Sequence, residues 1–182
     1  MDILHYQKEF ISYLESKQWI HEPKNLYEPI DYILKLGGKR IRPVLTLMAA
    51  DIFSGDFKKA LPAALAVEVF HNFTLIHDDI MDAAPLRRGK ATVHKKWDTN
   101  TGILSGDAML IIAYQYFENY EPVVFQKLAI LFGKTALEVC DGQQLDVDFE
   151  TRNDVTIPEY INMIRLKTSV LVAAALKMGA IV

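Results

Sequence analysis

Residues Glu68 to Asp82 read EVFHNFTLIHDDIMD, the end of a helix predicted to run from near Lys58 to near Asp82. Apolar Phe73, Leu75, Ile76, Ile80 and Met81 surround the acids, and no alternation of strand period interrupts them. Asp78 and Asp82 stand four residues apart, so a helix sets both carboxylates on one face, about one turn or roughly 5–6 Å from each other. Asp79 points partly aside. Like charges at a helix C-terminus repel each other and oppose the macrodipole. A hard cation between them removes both objections, because Mg²⁺ takes oxygen ligands and completes its shell with waters and phosphate oxygens.

Helical spacing recurs outward from this stretch, as in Ile3, Tyr6, Phe10, Ile11 and Leu14, and the fold is expected to be all-α with short loops. Pro29 reads as an early turn, Gly37-Gly38 stops that helix, Pro43 opens the next and Gly55 ends it. After Asp82 comes a polar loop with Pro85, Arg87, Arg88 and Gly89. Further helices are expected over Ser105 to Glu118 and Pro122 to Phe149. A last one starts at Thr156, Pro158 and Glu159, with capping-box spacing between Thr156 and Glu159. No repeat, low-complexity tract or linker divides the chain, so residues 1–182 read as a single domain. The last helix reaches Val182 without a cap, exposing apolar surface that normally packs on something. The chain is therefore expected to be the N-terminal part of a longer bundle.

With 51% hydrophobic residues in 182, the chain can bury a real core. Its 20 Lys and Arg against 23 Asp and Glu give a formal charge of -3, which offers no global basic field for a nucleic acid. Any anion must be held locally. Cys140 is the single cysteine, which excludes an internal disulfide framework and fits a reducing cytoplasm. The opening MDILHYQKEF lacks the basic-then-apolar order of a secretory signal and reads as mature sequence. Ser169 to Val182 is the most apolar stretch, but Lys177 interrupts it and it falls short of the roughly 18 residues of a membrane span.

Two basic segments flank the acids. Arg87, Arg88 and Gly89 follow five residues after Asp82, and adjacent guanidinium forks bind phosphate oxygens bidentately. Gly37-Gly38-Lys39-Arg40-Ile41-Arg42-Pro43 lies where one helix ends and another starts, so backbone amides and basic side chains can converge on an anion. Its glycine spacing and the missing Lys-Ser/Thr ending exclude the Walker pattern.

In order along the chain, GGKRIRP, EVFHNFTLIHDDIMD, RRG, GDAML, GQQLD and the late Lys167-Thr168 resemble the trans-type polyprenyl diphosphate synthases, the family of the farnesyl and geranylgeranyl diphosphate synthases. The resemblance implies an antiparallel helical bundle of the isoprenoid synthase type. It implies a prenyltransferase that condenses isopentenyl diphosphate with an allylic diphosphate through a metal-assisted allylic carbocation. By the same resemblance Asp78 and Asp82, supported by Asp79, hold Mg²⁺, with Mn²⁺ as a substitute. Arg87 holds the allylic diphosphate, and Lys39, Arg42, His71 and Arg88 grip the diphosphate of isopentenyl diphosphate. Lys167 and Thr168 lie beside the leaving group and nascent cation, while Gln143 and Asp146 face the metals. The departing diphosphate accepts the final proton, so no histidine is needed as general base. A cytoplasmic homodimer is implied, without nucleic acid.

Family members also carry a second aspartate-rich motif on a later helix. The 182 residues contain none, so this chain alone is expected to be inactive. Two other readings compete: a non-catalytic or regulatory half that binds a homologous subunit, and a helical metal phosphohydrolase using His71, His77 and Asp78. Terpene cyclases share the aspartate motif, but GGKRIRP and Arg88 equip a second diphosphate site and favour condensation.

Product length should be set below the metals on the same helix, where Phe73 lies about 7.5 Å from Asp78 at 1.5 Å rise per residue. By resemblance, an aromatic residue five positions before the first aspartate belongs to the short-chain pattern, with Phe73 and its neighbour Thr74 setting a C20, or C15, product. Phe73→Ala is expected to lengthen the products of the full enzyme; chromatography of the prenyl chains checks this, and an unchanged profile removes Phe73 from the floor.

Overall fold

The computed structural model describes residues 2–182; Met1, the first residue of the stretch read as mature sequence, lies outside the described residues. The organising element is α4 (Leu61–Met81), buried without a break from Ala63 to Phe70. A helix that is apolar all round is stable only when other elements enclose it. Before it come α1 (Ile3–Glu15), α2 (Lys24–Lys35) and α3 (Ile41–Ser54), and a 3₁₀ turn (Phe57–Ala60) leads into it. After it come a two-stranded hairpin, β1 (Leu86–Arg87) and β2 (Lys90–Ala91), and then α5 (Val93–Lys96), α6 (Thr99–Gln115) and α7 (Pro122–Phe149). The chain finishes with α8 (Ile157–Ile164), a π-helical turn (Arg165–Ser169) and α9 (Val170–Ile181). Among the described residues no helix is long and apolar enough to cross a membrane.

Local chemistry fixes most boundaries. Gly55 ends α3 in the left-handed conformation at φ 71°, as a glycine cap does. The capping box at Thr156 and Glu159 is present, with reciprocal side-chain and backbone bonds opening α8. Phe132 of α7 sits at an aromatic hub, its ring centroid 5.0 Å from Phe70, 4.6 Å from Tyr114 and 5.2 Å from Phe117. Edge-to-face pairs of this kind add about 0.5–1.5 kcal/mol each beyond the area they bury.

The structure corrects four expectations. Pro29 is not in a turn but inside α2, its ring buried; the lost helical hydrogen bond is offset by core packing. The helix expected from Ser105 starts at Thr99, because the Asp98 side chain accepts from the Thr101 amide at 2.9 Å. There Gly102 marks close packing rather than a break: a Cβ at this position would lie 2.9 Å from Ile80 Cδ1. The loop after Asp82 folds as a hairpin whose turn, Arg88-Gly89, has φ 53° and 75°, both positive as a two-residue turn of type I′ requires. Finally, the last helix is two helices, α8 and α9, joined by the π turn.

Helix α9 lies against α3 through small residues. A methyl at Gly179 would overlap the Thr46 carbonyl and the Ala49 methyl, so backbone rather than a flexible side chain would have to yield. Gly179→Ala is expected to destabilise the chain by about 2 kcal/mol, lowering Tm by roughly 4–8 °C; thermal and urea unfolding check it.

Candidate functional site

The C-terminal end of α4 brings the acids out of the core in different directions. Asp79 is only 2% exposed and faces the hairpin, where Arg87 grips it through a fork: Nε donates to Oδ2 at 2.8 Å and Nη2 to Oδ1 at 2.7 Å. That bond raises the Arg87 pKa despite partial burial. Asp78 turns instead toward α7 and the π turn. Lys167 Nζ donates to Asp78 Oδ1 at 3.3 Å and to Asp146 Oδ2 at 2.6 Å, while Arg87 Nη2 lies 3.7 Å from Asp78 Oδ2. Burial works against the Lys167 charge, yet the bond to Asp146 and the field of Asp78 carry its pKa upward. Asp82 caps α4 one turn beyond Asp78. Its pKa is raised, first by burial and then by the Asp78 charge.

The π turn explains how Lys167 gets there. A π turn widens the backbone by one residue and re-aims side chains, often at functional sites. Its close seat is Gly142 of α7, where a Cβ would overlap the Lys167 amide and the Leu166 carbonyl carbon.

Two cavities meet beside these groups. The first, about 380 Å³, has apolar walls including Phe73, Val139 and Leu171, with Asp78 and Lys167 among its polar lining. Thr74, Gln143 and Thr168 also line it. Phe73 pairs edge to face with His77, centroids 4.8 Å apart. The second cavity, about 480 Å³, is lined by Lys39, Arg42, His71 and Arg88 together with Arg40 and Glu68. Arg42 and His71 line both.

Arginine has no acceptor, so Arg42 Nη1 donates to His71 Nε2 at 3.3 Å, which leaves the imidazole proton on Nδ1. Burial, then the fields of Arg42, Arg88, Arg87 and Arg40, pushes the His71 pKa down to about 3. His71 is therefore a neutral donor at neutral pH. His77 Nε2 lies 3.2 Å from the Ile103 carbonyl and donates to it. Both Nε2 atoms are thus engaged within the protein.

The structure therefore collects Lys39, Arg42, His71 and Arg88 around one cavity, and Phe73, Thr74, Asp78, Gln143, Lys167 and Thr168 around the other. It does not place Asp79, Asp82, Arg87 or Asp146 in either lining. Among the described residues no three His, Cys, Asp or Glu side chains form a protein-only cation cage. The donor chemistry nonetheless suits Mg²⁺, which ordinarily takes one or two carboxylates and fills its shell with phosphate and water oxygens. Asp78, in the lining of the first cavity, and Asp82, one turn beyond it at the end of α4, offer hard oxygen donors. Sequence reasoning missed the α7 wall of Val139, Cys140, Gln144 and Val147. Helical spacing around Gln143 carries that signal, since residues three and four apart share a face. It also missed that Arg40 of the basic segment turns inward, to Glu68.

Comparison with known proteins gives a consistent set of similarities. The family profile described as polyprenyl synthetase matches residues 23–182. The chain is 46% identical over 164 residues to the geranylgeranyl diphosphate synthase of Methanosarcina mazei, covering 89% of this chain and 51% of that protein. It is 39% identical over 194 residues to the geranylfarnesyl diphosphate synthase of Natronomonas pharaonis, covering 96% and 57%. A crystal structure of a geranylgeranyl pyrophosphate synthase matches with a TM-score of 0.97 and 63% identity, over 100% of this chain and 55% of that one. The geranylgeranyl pyrophosphate synthetase from Geoglobus acetivorans matches with a TM-score of 0.88 and 36% identity, over 98% and 58%. The chain spans about half the length of the curated relatives it matches.

The depressed His71 pKa has a definite sign. The unfolded chain protonates near the ordinary 6.5 and the folded chain only near 3, so between these values the unfolded state binds more protons. This contribution to stability is fully present above about pH 6.5 and is lost as pH falls toward 3. His71→Gln is expected to flatten the fall in stability across that window, measured by urea unfolding at several pH values against wild type; parallel profiles would show that His71 is not held neutral by burial.

Proposed function

Because the chain belongs to the polyprenyl synthetase family, we propose that it forms the part of a prenyltransferase site where isopentenyl diphosphate is joined to an allylic diphosphate, giving a C20, or C15, prenyl diphosphate. The observation that supports this most is the shared wall: an apolar cavity and a basic cavity meet at Arg42 and His71. One cavity suits a hydrocarbon chain and the other a diphosphate. Substrates seated in each would bring their reacting carbons together at that wall, and such positioning removes much of a bimolecular barrier.

Each side chain has a role in this reading. Asp78 and Asp82, with Asp79 orienting Arg87, would hold Mg²⁺ or Mn²⁺, which when bound supplies charge neutralisation for a leaving diphosphate. Arg87 and Lys167 add fixed positive charge where negative charge develops. Asp146 holds Lys167 in place, and Thr168 and Gln143 supply polar contacts beside the leaving group. Lys39, Arg42, His71 and Arg88 bind the second diphosphate. Phe73 and Thr74 close the apolar end and set length. Geranylgeranyl and geranylfarnesyl diphosphate synthases both occur among the relatives.

We also assign a partner. Val123, Ile130 and Leu137 on α7 and Leu104 and Ile111 on α6 are exposed at intervals of seven, which lines each set along one helix face. A second copy of the chain, in a cytoplasmic homodimer, is the proposed occupant. With one aspartate-rich cluster, the 182 residues alone are expected to bind diphosphate without turnover.

The test is direct. In Mg²⁺, Asp78→Asn with Asp82→Asn is expected to weaken pyrophosphate binding to the 182-residue chain by roughly 100-fold, about 2.7 kcal/mol, in titration calorimetry. Unchanged affinity would remove the carboxylates from the site.

A further inference from the structure

Arg40 lies in the most basic segment of the chain, yet only 6% of it is exposed. Its guanidinium turns into the core, where Nη1 donates to Glu68 Oε1 and Nη2 to the Leu34 carbonyl. Glu68 is 2% exposed, and fully buried Asn72 braces it, Nδ2 donating to Oε1 at 3.0 Å and to the Glu68 carbonyl at 2.8 Å. Arg40 also holds φ 51°, ψ 35°, the left-handed region that side chains other than glycine rarely adopt. Neither feature favours stability by itself. A buried ion pair rarely outperforms a well-packed apolar pair, and strained backbone persists where surrounding contacts over-determine it.

The position of this strain gives it a use. Arg40 is the residue between the glycine turn and α3, so its conformation sets the path of the chain that presents Lys39 and Arg42. From the opposite side the hairpin clamps the same loop: Arg88 Nη1 donates to the Gly37 carbonyl, and a Cβ at Gly38 would lie 2.8 Å from Arg88 Nη2. The loop is thus fixed from below by Arg40 and from above by Arg88. A carboxylate lining a cavity built for anions, as Glu68 does, otherwise weakens that cavity. Its engagement with Arg40 gives it a different task.

We propose that Arg40, Glu68 and Asn72 form a buried positioning chain that shapes the basic cavity, holding the left-handed turn that aims Lys39 and Arg42 at a diphosphate. The inference rests on the reading of this cavity as a diphosphate site. These are positioning residues: they act through Lys39 and Arg42 rather than on the ligand. The charge of Arg40 is therefore secondary to its fork, which spans two anchors that a lysine ammonium on a different stem does not reproduce.

The experiment titrates the 182-residue chain with isopentenyl diphosphate in the absence of divalent metal, using wild type, Arg40→Lys and the pair Arg40→Met with Glu68→Met. Arg40→Lys preserves charge and is expected to raise Kd roughly tenfold. The double variant replaces the ion pair with apolar packing and is expected to regain the wild-type urea midpoint while its affinity stays equally low. Stability recovered without affinity is the signature that a merely structural pair would not give. Wild-type affinity in Arg40→Lys, or affinity restored together with stability in the double variant, overturns the positioning role and leaves the cavity as a diphosphate site. If the double variant does not fold, Arg40→Lys decides alone. Absence of binding by wild type overturns the cavity reading itself, and the inference with it.

Discussion

Helix α4 ends in three carboxylates at the negative end of its own dipole, after a run of buried apolar turns. That electrostatic conflict has to be relieved by cations from elsewhere in the chain. Two segments supply them. The hairpin carries Arg87 back to Asp79, and the π turn carries Lys167 across to Asp78 and Asp146. Both devices depart from regular helix, and both stand where regular helix would aim the required side chain elsewhere. The fold is thus a plain helical packing problem in its interior and a charge-placement problem at one end.

The same division decides how the two cavities differ. Apolar residues from α4, α7 and α9 continue the core outward as the wall of the first cavity. The second is built from the junction between α2 and α3, where helix termini and left-handed residues leave room for charge. Their common boundary, Arg42 and His71, consists of a guanidinium and an imidazole that burial keeps neutral. One charged and one neutral hydrogen-bond donor stand where the apolar and the basic cavity adjoin.

Most of the helices could be read in the sequence because their causes are local. Thr156 with Glu159 announced α8, and Gly55 the end of α3. What escaped was determined at a distance. Pro29 reads as a turn because its cost is local, while its compensation, burial in the core, is tertiary. The helix expected from Ser105 begins at Thr99, and Gly102 and Gly106 are thin places that let α4 and α6 approach. For the site, the ordered motifs named most of the residues that line the cavities. They gave no hint that Arg40 faces inward, since its partner Glu68 lies 28 residues away. Nor did they reveal the π turn, whose extra residue becomes visible only against the neighbouring helix at Gly142.

That extra residue separates two requirements that a continuous helix would bind together. Each residue of an α-helix turns the phase by about 100°, so removing one position from Arg165–Ser169 would rotate everything after it relative to everything before. Either Lys167 keeps its aim and the small face of α9 leaves α3, or Gly179 keeps its seat and the ammonium swings away from the carboxylates. The turn works as a phase adjuster, letting the helix serve the site on one side and the core on the other. Insertions and deletions there should be tolerated far less than substitutions of the same side chains.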